Sequence, residues 1–573
     1  MLQKEVFPHR TKWAIIVIGM IAGLLWALPD GFNLHERYSL YLPPLSLAMA
    51  SILAFTLYRL RAVRPWLCAL LILPIIALMT GWYRWNFPTL PLGEFHFKNI
   101  CAVIVMLSLV MPMLVAFCTK SQQEQDGSQW SRAVAETLWR NTFTLAVTGL
   151  MTGLFWLVLM LWSNLFSIIG ITLFEQLFFD NRFFPPIATG AVIAAGIVFC
   201  RRLPGAASLY RHLVTRAVSV LLPLHAVALL LFLACLPFTG LAIIPKAFSA
   251  TTLLLTMTLL MLAFSAIAGE SAPDLSRWQR VMARVVLVAQ ALTPLLAGLA
   301  VWALWLRVAE YGWTVERIYA AMIALLAVAG SLLLSGFQRR AWSQGAGSMN
   351  IFIALMLSLT ACGWFLLHTP VADPWRIVVK NQLARFAQGK AKVDDMDLYL
   401  FSDAGRRGKQ ALQKISHHPQ WLDEPVRQKA MLVRLLAERD TNNANPTVSD
   451  LQRSIPLRAG SEAPPESWWQ MQTQYIEQEA GICLVDTGSC LVWMQDVNND
   501  GTAEVLFYNR NQQSITLYAH QATGWNQIGS VTLSARLEQA LRDKIPETVV
   551  KPWRDLEVNG QRLPVQYYGF EGQ

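Results

Sequence analysis

Through the first two thirds of this chain, apolar runs of about 20 residues alternate with short arginine clusters, and about 20 is the length a helix needs to cross a ~30 Å hydrocarbon core. Eleven such runs are present, at 13–28, 39–58, 66–83, 100–118, 142–163, 186–200, 217–236, 248–268, 285–305, 317–337 and 351–368. A twelfth stretch, 164–184, is apolar but carries Glu175, Asp180 and Arg182. It reads as an interfacial helix, because charged residues are costly inside hydrocarbon and cheap at its edge.

Composition agrees. Of 573 residues 54% are apolar and 15% charged, against about 25% charged in soluble proteins. A disordered chain, a collagen, a coiled-coil rod and a small disulfide scaffold are excluded. The net charge of +10 divides into +12 for residues 1–372 and −2 for 373–573. The positive residues lie between apolar runs, which argues for membrane orientation and against nucleic acid. One set of loops carries 18 Lys and Arg, the other seven. The arginine-rich side is therefore read as cytoplasmic, with the N-terminus there and the tail outside. Lys4, Arg10 and Lys12 precede the first run, but no small-x-small cleavage site follows it, so it reads as a retained anchor.

No Asp, Glu, Lys or Arg falls in the middle of a run, whereas ion-coupled carriers ordinarily place such residues there. The polar exceptions are His225, after Pro223, and Gln290, before Pro294. Proline can loosen a helix to line a substrate site; the simpler reading is a hydrogen bond to a neighbouring helix. Gly19 and Gly23, like Gly149 and Gly153, have the spacing of helix contact faces. Nucleotide-binding loops, nucleophile elbows and zinc-protease motifs are absent.

Two loops on the arginine-poor side stand out. The first holds Asp30, His35, Glu36 and Arg37. It resembles the acidic first loop of membrane glycosyltransferases that use lipid-linked sugars, although it is far shorter and serves equally as a polar turn. The second runs from Leu306 to Arg317. There Arg307 and Glu310 can share a helix face, Gly312 suits a turn, Trp313 the interface, and Thr314 an N-cap.

The tail opens with amphipathic helices at 374–388, 403–416 and 425–438, followed by a polar, linker-like segment at 441–475. Strands follow at 481–485, 489–495, 503–509, 514–520 and 526–532, with turn residues between them. Cys483 and Cys490 flank a four-residue loop, and paired strands would bring them within disulfide reach in an oxidising compartment. Asp496, Asn498, Asp500 and Glu504 offer oxygen ligands at alternating positions around Gly501, as calcium loops do. Phe507 stands where an EF-hand needs Glu, so the likeness is to calcium loops between strands of propeller repeats. The competing reading is a hairpin turn. Calcium is the one candidate cofactor.

The expected architecture is a polytopic α-helical membrane protein of about 11 spans, N-terminus in and C-terminus out, with a C-terminal soluble α+β domain containing a β-meander. Its divisions are a transmembrane domain (1–370), a helical part of the tail (371–440), the linker-like segment, and a β-rich domain (476–573).

The string from Arg307 to Arg317 resembles a hallmark of a family of bacterial multi-spanning membrane proteins, domain of unknown function 4153. Val393 to Phe401 and Gly405 to Leu412 look like the same family. The chain also looks close to an enterobacterial member that carries a transport label. The resemblance implies the inner membrane, and it supplies no catalytic residues. The favoured function is non-enzymatic, a transporter-like carrier or an envelope scaffold, with Asp30, Glu36, His225, Gln290, Arg307 and Glu310 as ligand-binding candidates. Its expected partners are the bilayer, a lipid or an envelope protein. The alternative is an envelope enzyme acting on a lipid-linked substrate, with Asp30 or Glu36 as acid–base group.

Overall fold

The computed structural model describes residues 8–31, 36–88, 90–119, 127–168, 171–239, 249–269, 277–344, 347–390, 398–416, 447–474, 490–510, 514–521, 524–532, 556–558 and 561–563, with Cys483 and Leu541. These form two compact units. One comprises Met1–Lys392 with Ala404–Arg407, the other Val393–Asp403 with Gly408–Gln573.

The first unit is helical, as it must be where no water is present to satisfy the backbone. Its helices are α1 (His9–Gly31), α2 (Glu36–Thr56), α3 (Val63–Asn86), α4 (Leu92–Thr119), α5 (Gly127–Ile168), α6 (Leu173–Asp180), α7 (Phe184–Cys200), α8 (Pro204–Thr239), α9 (Ala250–Ala268), α10 (Arg277–Tyr311), α11 (Val315–Gln344), α12 (Gly347–Leu367) and α13 (Pro374–Ala387). Among the described residues ten helices are long and apolar enough to span a membrane, and α6 with α7 makes an eleventh, bent by 71°. This is a multi-pass membrane protein.

The 164–184 stretch is not one interfacial helix. Its first residues complete α5, and α6 turns sharply into α7. The turn has a local cause. Asn181 Oδ1 accepts hydrogen bonds from the amides of Phe183 and Phe184 at 2.9 and 3.1 Å, and proline occupies the first turn of α7, both signatures of a helix start. Phe166, Phe174, Phe178 and Phe184 stack in sequence across the bend, with ring centroids 4.5, 5.6 and 5.3 Å apart.

Among the described residues two large apolar cores stand out beside smaller clusters. One gathers Ile15, Ile52, Ile76, Val103 and Ile197 from α1, α2, α3, α4 and α7. The other gathers Ala226, Leu254, Ala297, Ala300 and Ala327 from α8 to α11. Small residues dominate the second, as expected where helices pack by close approach in lipid. α8 and α10 each run unbroken through Pro223 and Pro294, so neither is an interrupted helix.

The closest approach is between α1 and α7. A Cβ on Gly19 would lie 2.4 Å from the Gly190 carbonyl oxygen, and one on Gly23 would lie 2.1 Å from that of Pro186. The Gly19/Gly23 spacing thus serves a contact within the chain. Gly149 and Gly153 have nothing within 4 Å of such a Cβ.

The second unit holds α14 (Leu398–Asp403), most of α15 (Gly405–Ser416), α16 (Val448–Ser454), α17 (Glu466–Gln474) and a four-stranded antiparallel meander. Its strands are β1 (Cys490–Gln495), β2 (Glu504–Asn509), β3 (Ser514–Gln521) and β4 (Gly524–Thr532), in that order. A hairpin of β5 (Leu556–Val558) and β6 (Gln561–Leu563) stands apart from that sheet. One face of the meander, with Val492, Val505 and Phe507, packs on Leu451, Ile455, Trp468 and Trp469.

The 441–475 segment is therefore no mere linker over its described part. Four large apolar residues spaced among polar ones build two short helices that cover the sheet. The expected helix at 425–438 lies outside the described residues. The expected strand at 481–485 does too, apart from Cys483, whose backbone is helical.

The glycine contact yields a direct test. Gly23→Ala is expected to cost about 1–3 kcal/mol, the scale for overpacking a filled contact, and to lower the melting temperature of the purified protein. Gly153→Ala should leave it unchanged or raise it by up to about 1 kcal/mol in stability, because alanine is the better helix former. Equal melting curves for Gly23→Ala and the native protein would refute the contact.

Candidate functional site

A groove of about 410 Å³ runs between α1, α2, α4 and α7, within the size range of small-molecule sites. It follows α1 from Ile15 to Trp26, about 16 Å at 1.5 Å per residue. Ala50, Ala54, Ile104 and Ile193 line its walls, and Gly19, Gly23 and Gly190 lie where α1 meets α7. No ionisable side chain lines it; its polar groups are the hydroxyls of Ser46, Ser51 and Thr189 and the indole of Trp26. Thr189 is fixed from outside by the indole N–H of Trp156 on α5, at 3.1 Å. The groove suits a hydrocarbon chain.

At the arginine-rich end the groove stops at Ala54 and Ile197. Arg201, just past α7, donates through Nη1 to the Ala54 carbonyl at 2.6 Å and through Nη2 to that of Leu57 at 3.0 Å. Its guanidinium lies 4.3 Å from the Tyr58 ring centroid. Arg140 Nη2 donates to the Tyr58 hydroxyl at 3.2 Å. Burial pushes the Tyr58 phenol up, but the charges of Arg140 and Arg201 outweigh it and hold the phenol below its ordinary value. Burial draws the Arg201 guanidinium down, and Tyr58 opposes that shift.

The arginine-poor end is built differently. Gly312 takes a left-handed φ of +78°, and the turn it makes is gripped by α13. Asn381 Oδ1 accepts from the Trp313 amide at 3.0 Å. Gln382 Nε2 donates to the carbonyls of Trp313 and Tyr311 at 3.0 and 3.2 Å. Arg385 donates to the carbonyls of Ala309, at 3.1 Å, and Glu310. A Cβ on Gly312 would strike all three α13 side chains at 2.8–2.9 Å.

Beside this turn, Asp373 caps α13 by accepting from the Trp375 amide at 3.0 Å. Its other oxygen accepts from Asn86 Nδ2 at 3.2 Å and pairs with Arg407. Arg407 also lies over the rings of Trp82 and Trp85, at 5.4 and 5.2 Å, and Arg406 over Trp85 at 5.2 Å. Gly405, at φ +61°, passes so close that a Cβ would lie 2.2 Å from the Asn86 carbonyl oxygen. The turn of the 307–317 string and the start of the 405–412 string are thus docking elements.

The family profile of a domain of unknown function, DUF4153, matches residues 45–415. The chain belongs to this family. The match runs from α2 into α15, taking in both docking strings, and ends before the β-meander. No curated protein and no solved structure matches the chain.

The residues singled out in the sequence do not converge. Asp30 ends α1 and Glu36 starts α2, but their side chains lie outside the described residues. His225 Nε2 bonds the Met257 carbonyl oxygen at 2.9 Å. Gln290 donates to Ser265 Oγ at 2.7 Å, and its own carbonyl accepts from Ser335. Both therefore link helices of the second core. Arg307 and Glu310 are exposed. Cys483 and Cys490 are joined in a disulfide, with Cα atoms 5.7 Å apart.

The 496–504 loop closes on itself. Asp496 accepts from the amides of Asn499 (2.7 Å), Asp500 (3.3 Å) and Gly501 (2.9 Å). Glu504 accepts from that of Val497 at 2.8 Å. Asp500 accepts from the Thr502 amide and the Asn498 side chain, and these bonds hold its carboxyl below the usual range. Among the described residues no three His, Cys, Asp or Glu side chains gather to hold a metal ion.

Sequence reasoning counted Arg140 and Arg201 only as orientation signals and passed over Asp373. The available signal was Arg201 directly abutting an apolar run, where a bulky cation needs partners. Asp373→Ala and Arg407→Ala should each cost about 3–5 kcal/mol, the scale for breaking a buried ion pair. The double variant should cost clearly less than their sum. Thermal melting of the purified variants checks this, and additive losses would dissolve the proposed pair.

Proposed function

We propose that this is a non-enzymatic protein of the bacterial inner membrane, a carrier or scaffold that holds a membrane lipid by its acyl chain in the α1–α2–α4–α7 groove. The carrying observation is an apolar groove within a bundle that offers no charged relay. Ion coupling calls for ionisable side chains within the spans. Here the intramembrane polar groups His225 and Gln290 are spent on helix contacts, which favours a lipid over an ion as the thing handled.

The charge asymmetry supports a cytoplasmic arginine-rich side and a tail in the periplasm, and the Cys483–Cys490 disulfide supports an oxidising compartment for it. The 496–504 loop is read as a self-capped turn, so calcium and EDTA are expected to give the full-length protein the same melting curve. A rise with millimolar calcium would restore the calcium loop, since a ligand of the folded state must stabilise it.

Native mass spectrometry of protein released from nanodiscs tests the main reading. The native protein is expected to retain lipid, and Ala50→Phe with Ile193→Trp, which fill the groove walls, to lose most of it without unfolding. Equal retention by both proteins would overturn the groove reading. The enzymatic alternative, resting on Asp30 and Glu36, requires Asp30→Ala with Glu36→Ala to abolish envelope function; full function in that variant removes it.

A further inference from the structure

We propose that the lipid held in the groove is an anionic glycerophospholipid whose phosphate sits at the arginine-rich end, on Arg140 beside Tyr58. This rests on the lipid reading above and names the class of lipid.

Ala54 links the two halves of the site. Its side chain lines the groove, and its carbonyl oxygen receives Arg201. The arginine cluster is therefore where a chain lying in the groove would bring its headgroup. Capping the end of α2 explains both donors of Arg201 that meet the Ala54 and Leu57 carbonyls. It does not explain Arg140. That side chain is exposed on α5, and it leans on a phenol whose ring already faces a second guanidinium.

The charges acting on Tyr58 are Arg140 and Arg201, and those acting on Arg201 are Tyr58 and Arg140. Two cations held around one hydroxyl, at the mouth of an apolar groove, are complementary to a phosphodiester with a hydrocarbon chain attached. The planar fork of arginine suits phosphate oxygens in particular. Tyr58 also lines a second cavity of about 340 Å³, with Thr56 and Arg64 among its walls, which leaves room for the rest of a headgroup.

The test is lipid selectivity. Full-length protein is placed in nanodiscs of equimolar phosphatidylglycerol and phosphatidylethanolamine, released, and its retained lipids are counted by native mass spectrometry. Phosphatidylglycerol is expected to be enriched about fivefold over phosphatidylethanolamine, the scale of one arginine contact near a membrane surface. Arg140→Gln should abolish the enrichment while leaving total lipid retention in place. Arg140→Lys should keep most of the enrichment, and Arg132→Gln, an exposed arginine two turns earlier on α5, should not change it. Retention of both lipids in the bilayer proportion overturns the headgroup assignment and leaves the groove reading standing. So does an equal loss of enrichment in Arg132→Gln and Arg140→Gln, which would mark a general surface effect. Protein released bare from every bilayer overturns the groove reading itself, and this inference with it.

Discussion

Inside a bilayer a hydrogen-bond donor has only the protein to donate to, and the arrangement of the first unit follows from that scarcity. Several serine and threonine hydroxyls in the spans turn back to carbonyls one turn earlier, as Thr258 does to Leu254 and Ser265 to Met261. His225 reaches a carbonyl of the next helix, and Gln290 a hydroxyl already so bonded. The two bonds between helices each fix a rotation of one helix against another that apolar packing would leave loose. At the bundle ends carbonyls of helix ends and of the loops that follow them are taken up by arginines: Arg201 at the end of α2, Arg84 in the loop after α3 and Arg385 at the end of α10.

The same scarcity leaves the groove conspicuous. Where α1 and α7 touch backbone to backbone through glycine, neighbouring side chains are held apart, and the space beside the contact is walled by alanine and isoleucine. A soluble protein would collapse such a volume or fill it with water. In a membrane hydrocarbon fills it at little cost, so a permanent groove can persist without a dedicated plug. The arginines at one mouth then give that groove a polarity, with charge at one end and hydrocarbon along its length.

Much of the fold was legible in the sequence because the bilayer sets a length and strands set a period. The eleven apolar runs correspond to the helices, and the turn residues around 496–504, 511–513 and 523–524 fall between the observed strands. The bend before α7 was hidden because Asn181, whose side chain turns the chain toward that helix, lies in a stretch read as continuous. The helices at 448–454 and 466–474 were hidden because Leu451, Ile455, Trp468 and Trp469 are too sparse to raise the mean hydropathy of that segment. The candidate site was less legible. A groove is a property of how helices lean, and the partners of Arg201 lie about 145 residues earlier in the chain. His225 and Gln290 join helices, the simpler of the two readings that the sequence offered. The family hallmark around Gly312 turned out to be a socket for α13.

The tie between Asp373, Arg407 and the end of α3 has a consequence for how the protein is made. Trp82, Trp85 and Asn86 enter the membrane early in synthesis, yet the groups that complete them come after the last span. Until some 320 further residues have been threaded, that end of α3 presents two stacked indoles and an unanswered amide. The seam at that end of α3 is thus closed only once the chain has been made as far as Arg407.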